Sequence, residues 1–399
     1  MNLALVIGNR FNPWHFQGYC RLRPQPNITV FRAQSEIQDY FDERNDAQFG
    51  FRFEEIQFDS QSPNPLTRLQ NAVRSRYAGK EPRLLPFHER LKDFDLIQSW
   101  ELFTDWSAEA VLAHKKYGIP LAVMVWDNIP FNMEGNAERR EIKRNVIANA
   151  DLFIVHTDRS RRMLRLEGVD AGRIALVPPA VDTDMFSPGR VDAASSPRFG
   201  LSEDEFVILF VGWFLPRKGI DFLLLALREL LDDPALTTRR VRLLMVGSGP
   251  GRERVEALIR RLRLESTCTF AGSLPYGRMP DVYIRSADVF VLPSIATPEW
   301  QEQFGMSLLE AMACGTPVVT TSSGAIPEIV GDSAVLCQPN DFVSLHEALA
   351  GLILNPARRQ ELSESGRTRV TKHFGLPQFA SALTDVYTRL EGGRRPART

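Results

Sequence analysis

Apolar residues concentrate in short runs that stop at glycine, asparagine, proline or a charged residue. In the first half these runs cover 3–7, 94–101, 120–125, 150–156 and 174–179; in the second they cover 206–212, 241–246, 270–275, 287–294 and 317–320. Most are continuous rather than alternating, the pattern of strands covered on both faces in a parallel sheet. Amphipathic stretches lie between them. Residues 220–231 read as a helix, an arginine-rich helix follows 247–251, and 376–390 forms a last one. A short helix starts near Gly305 and Ser307: Met306, Leu309 and Ala313 recur at helical spacing, and Gly315 with Pro317 stops it. Strand, loop and helix in this succession predict an α/β doubly wound fold, whose ligands bind beyond the carboxyl ends of the strands.

Residues 187–203 are rich in Pro, Gly, Ser and Ala and have no periodicity, as in a linker. The expected organisation is a first domain over 1–187, a second over 204–370, and a closing helix with a basic tail over 371–399. A chain of 399 residues, 44% hydrophobic and 24% charged, can bury two separate cores. Its 48 basic and 49 acidic residues leave a net charge of -1, so no overall field points to nucleic acid. Cys20, Cys268, Cys314 and Cys337 lack CxxC spacing, which argues against structural zinc or a disulfide framework and fits a reducing cytoplasm. The first apolar run has no basic segment before it, and no run approaches membrane-spanning length, so a cytoplasmic protein is expected. Residues 60–92 carry Arg68, Arg74, Arg76, Lys80, Arg83, Arg90 and Lys92 among apolar positions. A solvated helix face is the ordinary reading; the sharper one is an amphipathic basic surface touching anionic lipid or a phosphorylated acceptor.

Three loops carry candidate chemistry. Glu302 precedes the helix at 305–315 and Glu310 lies inside it; a helix N-terminus favours anions, so a carboxylate there needs a reason. Carboxylates suit the hydroxyls of a polyhydroxylated ligand. The plain alternative makes Glu302 a capping acid and Glu310 an exposed helix residue. After the run at 206–212, Gly212 leads to Arg217 and Lys218, adjacent cations suited to a diphosphate, or simply a solvated turn. The Gly247–Gly251 turn either approaches a nucleotide or packs strand against helix. In the first half, Gly18 follows an aromatic loop that contains His15, and Trp126-Asp127 follows the run at 120–125. A tryptophan face can stack on a sugar ring and an aspartate can accept its hydroxyls; the alternative is a buried aromatic beside a turn aspartate.

The stretch from Glu302 to Val319 resembles the signature E-x-F-G-x-x-x-x-E-A-M-A-x-G-x-P-V-V of glycosyltransferase family 4, a group of retaining, nucleotide-sugar-dependent enzymes. The similarity covers roughly 205–340 well and the first half least. It implies the GT-B fold: two facing Rossmann-like domains, the first binding acceptor, the second binding donor, with a C-terminal helix crossing back to the first. Gly212, Arg217, Lys218, Gly247, Leu274, Glu302, Phe304, Gly305, Met306, Ser307 and Glu310 then become donor contacts, with Leu274 meeting the base through its main chain and Glu310 the ribose. Lys218-Gly219 matches the end of the family's G-R-x-x-x-x-K-G loop, with Trp213 where arginine is usual. Gly18, Trp126 and Asp127 fall on the acceptor side, and Trp126 replaces the family's usual sugar-contacting histidine.

The implied reaction is retaining transfer of a sugar from a UDP-sugar or GDP-mannose to a glycan, lipid or small-molecule acceptor. Arg217, Lys218 and Glu302 are its expected catalytic residues. No metal and no cofactor beyond the nucleotide-sugar are expected. Two alternatives stay open: a nucleotide-sugar epimerase of the same fold, and a catalytically idle nucleotide-sugar-binding subunit. The expected location is the cytoplasm, at the inner face of the membrane if 60–92 binds lipid.

Overall fold

A computed structural model describes residues 1–8, 13–33, 49–61, 83–188, 199–202, 204–285 and 287–392. The chain forms two compact units: Met1–Val177 with Phe379–Thr399, and Pro178–Gln378.

The first unit is built on seven parallel strands: β1 (Asn2–Gly8), β2 (Asn27–Ala33), β3 (Arg52–Ile56), β4 (Leu96–Trp100), β5 (Leu121–Val125), β6 (Leu152–Val155) and β7 (Ile174–Leu176), in the order β3-β2-β1-β4-β5-β6-β7. Every residue of β4 and β5 is buried, which accounts for their lack of alternation. β3 was invisible as an apolar run because it is an edge strand reading Arg-Phe-Glu-Glu-Ile, largely outside the core. Helices α1 (Asp105–Tyr117), α2 (Ala137–Asn149) and α3 (Asp158–Leu166) follow β4, β5 and β6. Asn136 caps α2 and Thr157 caps α3 through side-chain oxygens.

The second unit repeats the plan with β8 (Glu205–Val211), β9 (Arg240–Val246), β10 (Cys268–Gly272), β11 (Val289–Leu292), β12 (Val318–Thr321) and β13 (Val335–Cys337), in the order β10-β9-β8-β11-β12-β13. Its helices are α4 (Ile220–Asp232), α5 (Arg252–Arg261), α6 (Met279–Arg285), α7 (Met306–Ala313), α8 (Ile326–Val330), α9 (Phe342–Leu354) and α10 (Pro356–His373). A final helix, α11 (Leu376–Gly392), carries the chain from the second unit back into the first. In each sheet the strand order reverses once, between β1 and β4 and between β8 and β11. Such reversal points open the ligand crevice of doubly wound sheets.

The first unit ends at Val177, ahead of the expected border at 187. Packing explains the difference. Phe186 is fully buried, with its ring 5.3 Å from that of Tyr276 and 6.2 Å from that of Tyr283. Arg367 donates to the carbonyls of Phe186 at 2.8 Å and Thr183 at 3.0 Å. The return falls at Phe379, past 371, because α10 belongs wholly to the second unit. From there Phe379 packs at Gly18, and Tyr387 donates to Gln98 Oε1 at 2.7 Å in the first unit.

Most of the proposed linker (189–198 and 203), the greater part of the basic segment (62–82, with Arg68, Arg74, Arg76 and Lys80), and the tail from 393 lie outside the described residues. Arg83 pairs with Glu138 at 2.7 Å and Arg90 with Glu54 at 2.5 Å. Among the described residues no helix is long and apolar enough to cross a membrane.

Candidate functional site

The reversal point of the second sheet gathers the loops that follow β8 and β11. β8 runs through Gly212 into the 3-10 turn Pro216–Lys218, and β11 continues into Pro293 and Ser294. Ile295 N donates to Arg217 O at 2.9 Å and ties the two loops together. On this frame Lys218 Nζ lies 2.7 Å from Glu302 Oε2, which also accepts the Ser294 hydroxyl at 2.7 Å. Glu302 is only 5% exposed, so its charge is held by these partners rather than by water.

The loop after β12 supports this carboxylate. Thr320 Oγ1 donates to Leu292 O at 2.7 Å, Thr321 Oγ1 to Ser294 O, and Ser323 Oγ to Ile295 O at 3.1 Å. Ala325 N donates to Glu302 O at 3.0 Å. Gly324 makes that approach feasible: its φ is +58°, and a Cβ there would sit 2.1 Å from Glu302 O. These hydroxyls, and Ser294, were not singled out in the sequence; their one signal is the Thr320-Thr-Ser-Ser run where an apolar strand ends.

Arg217 differs from its neighbour. Its guanidinium carbon lies 4.8 Å from the centre of the Trp300 ring, and Lys218 Nζ lies 5.3 Å from the same ring. Arg217 Nε is buried with no hydrogen-bond partner among the described residues. Burial lowers its pKa, and the Glu302 charge acts the other way. Two cations thus share one carboxylate, an excess of positive charge at a strand's carboxyl end.

Helix α7 begins one residue after Gly305, whose φ is +70°, and buries every residue from Leu308 to Ala313. Glu310 is therefore not the exposed helix residue of the plain alternative. It accepts the Tyr283 hydroxyl at 2.9 Å, and Tyr276 hydrogen-bonds it as well. Desolvation pushes its pKa up to about 7, with the two tyrosines acting in the opposite direction. Phe304 is buried, while Met306 and Ser307 are half-buried at the first turn. Neither tyrosine was read from the sequence as part of a site.

The glycine turn has a packing role. A Cβ on Gly247 would lie 2.1 Å from Gly212 O, and Gly247 N donates to Gly272 O at 2.8 Å. The turn is locked to the Gly212 loop and to the end of β10, with half-buried Leu274 two residues beyond. Ser248 and Ser273 bring their hydroxyls within 3.1 Å at the same strand ends.

The first-unit candidates are occupied by their own surroundings. A Cβ on Gly18 would fall 2.3 Å from the Phe379 ring, so this glycine makes room for α11. Asp127 Oδ1 accepts from the amides of Asn128 at 2.8 Å and Ile129 at 3.1 Å, and Oδ2 from Asn132 Nδ2 at 2.9 Å. It organises its own turn. The Trp126 ring lies 6.4 Å from that of His156, whose Nδ1 donates to Val177 O at 2.7 Å. Desolvation pulls the His156 pKa down to about 4, leaving a neutral imidazole. The loop at 9–12 and the side chain of His15 lie outside the described residues.

Two family profiles match the chain, "Glycosyltransferase Family 4" over residues 52–185 and "Glycosyl transferases group 1" over 192–369. A D-inositol 3-phosphate glycosyltransferase of Thermomonospora curvata is 32% identical over 299 residues, 69% of this chain and 68% of the relative. The chain belongs to glycosyltransferase family 4. It is 35% identical over 252 residues to the D-inositol 3-phosphate glycosyltransferase 2 of Catenulispora acidiphila, with 61% of this chain aligned to 57% of that protein's length. Solved structures of Anabaena HepE in complex with UDP (TM-score 0.75, 18% identity, 98% of this chain, 100% of that one) and of sucrose-phosphate synthase from Thermosynechococcus elongatus (0.73, 20%, 99%, 100%) share its architecture. The fold is GT-B.

Proposed function

We propose that the chain is a retaining glycosyltransferase that moves a sugar from a nucleoside diphosphate sugar to an acceptor hydroxyl without a metal ion. The observation that supports this reading best is the triad of Lys218, Glu302 and Ser294 beside Arg217, cationic in sum, at the reversal point of the second sheet. As the glycosidic bond to the diphosphate breaks, charge grows on the leaving phosphate, and Arg217, Lys218 and the amides at the start of α7 stabilise it. Glu302 accepts hydroxyls of the donor sugar and Glu310 those of the ribose. In front-face transfer the acceptor oxygen bonds to the anomeric carbon on the side the diphosphate leaves, and its proton passes to the departing phosphate oxygen.

HepE is solved with UDP and with UDP-glucose, which makes UDP-sugars the first donors to try. GDP-mannose is the second. The relatives' name makes a phosphorylated polyol the first acceptor to try, ahead of glycans and lipids. Peripheral membrane association through 60–92 is part of the same proposal.

The test is thermal stabilisation by UDP, GDP, ADP and their sugar conjugates in the presence of chelator, for the unaltered chain, Lys218→Ala and Glu310→Ala. Stabilisation by one nucleotide, lost in both variants, supports the donor site. Transfer to acceptor with retained anomeric configuration then establishes the reaction. Release of epimerised free sugar without acceptor would replace it with an epimerase.

A further inference from the structure

We propose that Trp300 is a positioning residue for the donor diphosphate, its indole face aligning Arg217 and Lys218 toward one anion; this rests on the donor-site reading above. The two cations are consecutive residues of one 3-10 turn, and like charges so placed repel unless something draws them together. Trp300 does so. Arg217 Cζ at 4.8 Å and Lys218 Nζ at 5.3 Å both lie within cation–π reach of its ring centre.

The two cations are differently satisfied. Lys218 has the Glu302 carboxylate at 2.7 Å. Arg217 sits against the indole with its Nε buried and lacking a hydrogen-bond partner among the described residues. A guanidinium whose carbon lies over an aromatic ring keeps its donor edge for a bidentate anion, the match that a phosphate offers. The Trp300 backbone is held by a short local turn: Trp300 N donates to Thr297 Oγ1 at 3.0 Å, and Trp300 O accepts from Thr297 N at 2.8 Å. The half-buried indole thus acts through the cations.

The experiment is titration calorimetry on the full chain, unaltered, W300A and W300F, with UDP against uridine and GDP against guanosine. The expected result is a loss of about tenfold in nucleoside diphosphate affinity in W300A, unchanged nucleoside affinity, and recovery in W300F, which keeps an aromatic face. An equal loss for nucleoside and diphosphate means general damage and overturns the proposal. Undiminished diphosphate affinity in W300A overturns it too, including the case where only turnover of the sugar nucleotide falls, which would place the ring on the sugar. If no nucleoside diphosphate binds the unaltered chain, it is the donor-site reading that fails.

Discussion

Glu310 should make the second unit less stable as pH rises. The residue is 7% exposed, and the groups that lower its pKa are the hydroxyls of Tyr283 and Tyr276 rather than a cation. Burial therefore carries it from 4.5 to about 7 in the folded chain. Below pH 4.5 the folded and unfolded forms are both protonated. Between 4.5 and about 7 the folded form keeps a proton that the unfolded form has released, so this contribution to stability is lost as pH rises through that window. The gap corresponds to about 3 kcal/mol. Glu310→Gln keeps the shape and removes the titration. Urea unfolding of both proteins from pH 4.5 to 8, with the second unit followed by hydrogen exchange of the 306–313 amides, should show the wild-type advantage shrinking by about 3 kcal/mol across the range. A pH-independent difference would refute the reasoning. The same titration reaches binding: if the ionised carboxylate accepts the ribose hydroxyls, nucleotide affinity rises about tenfold between pH 6 and 8, and this rise is absent in the Gln variant.

Lys218→Met leaves the Glu302 carboxylate without the ammonium now 2.7 Å away, and should cost about 3 kcal/mol, most of it recovered by adding Glu302→Gln; a double-mutant cycle with additive losses would count against the pair. His156 has the opposite pH sense to Glu310. Its folded pKa is depressed from 6.5 to about 4, so its contribution is present above 6.5 and is lost as pH falls through about 4; His156→Gln should remove about 3 kcal/mol of acid sensitivity from the first unit, measured by hydrogen exchange of β6. Gly324→Ala drives a methyl into Glu302 O, 2.1 Å from its ideal Cβ, and should lower donor affinity about tenfold in nucleotide titrations; unchanged affinity would show that the 320–325 loop does not hold Glu302 in place.

The fold was legible wherever burial on both faces removed polar residues from a strand. The apolar runs at 3–7, 120–125 and 206–212 sit within or overlap β1, β5 and β8, all deep in their sheets. Legibility failed at the edges: β3 carries Arg52, Glu54 and Glu55 because solvent covers part of it, and β13 is only three residues long. The expected border at 187 and the compact-unit border at Val177 differ for a related reason. Composition marks where a chain can be flexible, whereas the border follows where Phe186 finds its aromatic partners, Tyr276 and Tyr283, some ninety residues later.

The candidate site divides in the same way. Arg217 and Lys218 could be read as adjacent cations in a loop after an apolar strand, whereas Glu302 and Glu310 stood out only through the resemblance of Glu302–Val319 to the family signature. The residues that orient them are ordinary by type. Ser294, Thr321 and Tyr283 look like strand-end and helix residues until the sheet brings β11, β12 and α6 together. Asp127 and Gly18 show the converse, since a polar or small residue at a strand's carboxyl end can serve its own loop or a returning helix. Residue type alone does not separate a carboxylate that awaits a ligand from one that has closed its own turn. The distinction lies in its partners: Asp127 is answered by the amides and the amide side chain of residues 128–132, whereas Glu302 is answered by a lysine from eighty-four residues away. The amides around Asp127 close its turn, but a lysine that shares an aromatic platform with Arg217 can exchange its carboxylate for a phosphate. That exchange is why the second unit, rather than the first, is where the chemistry should be sought.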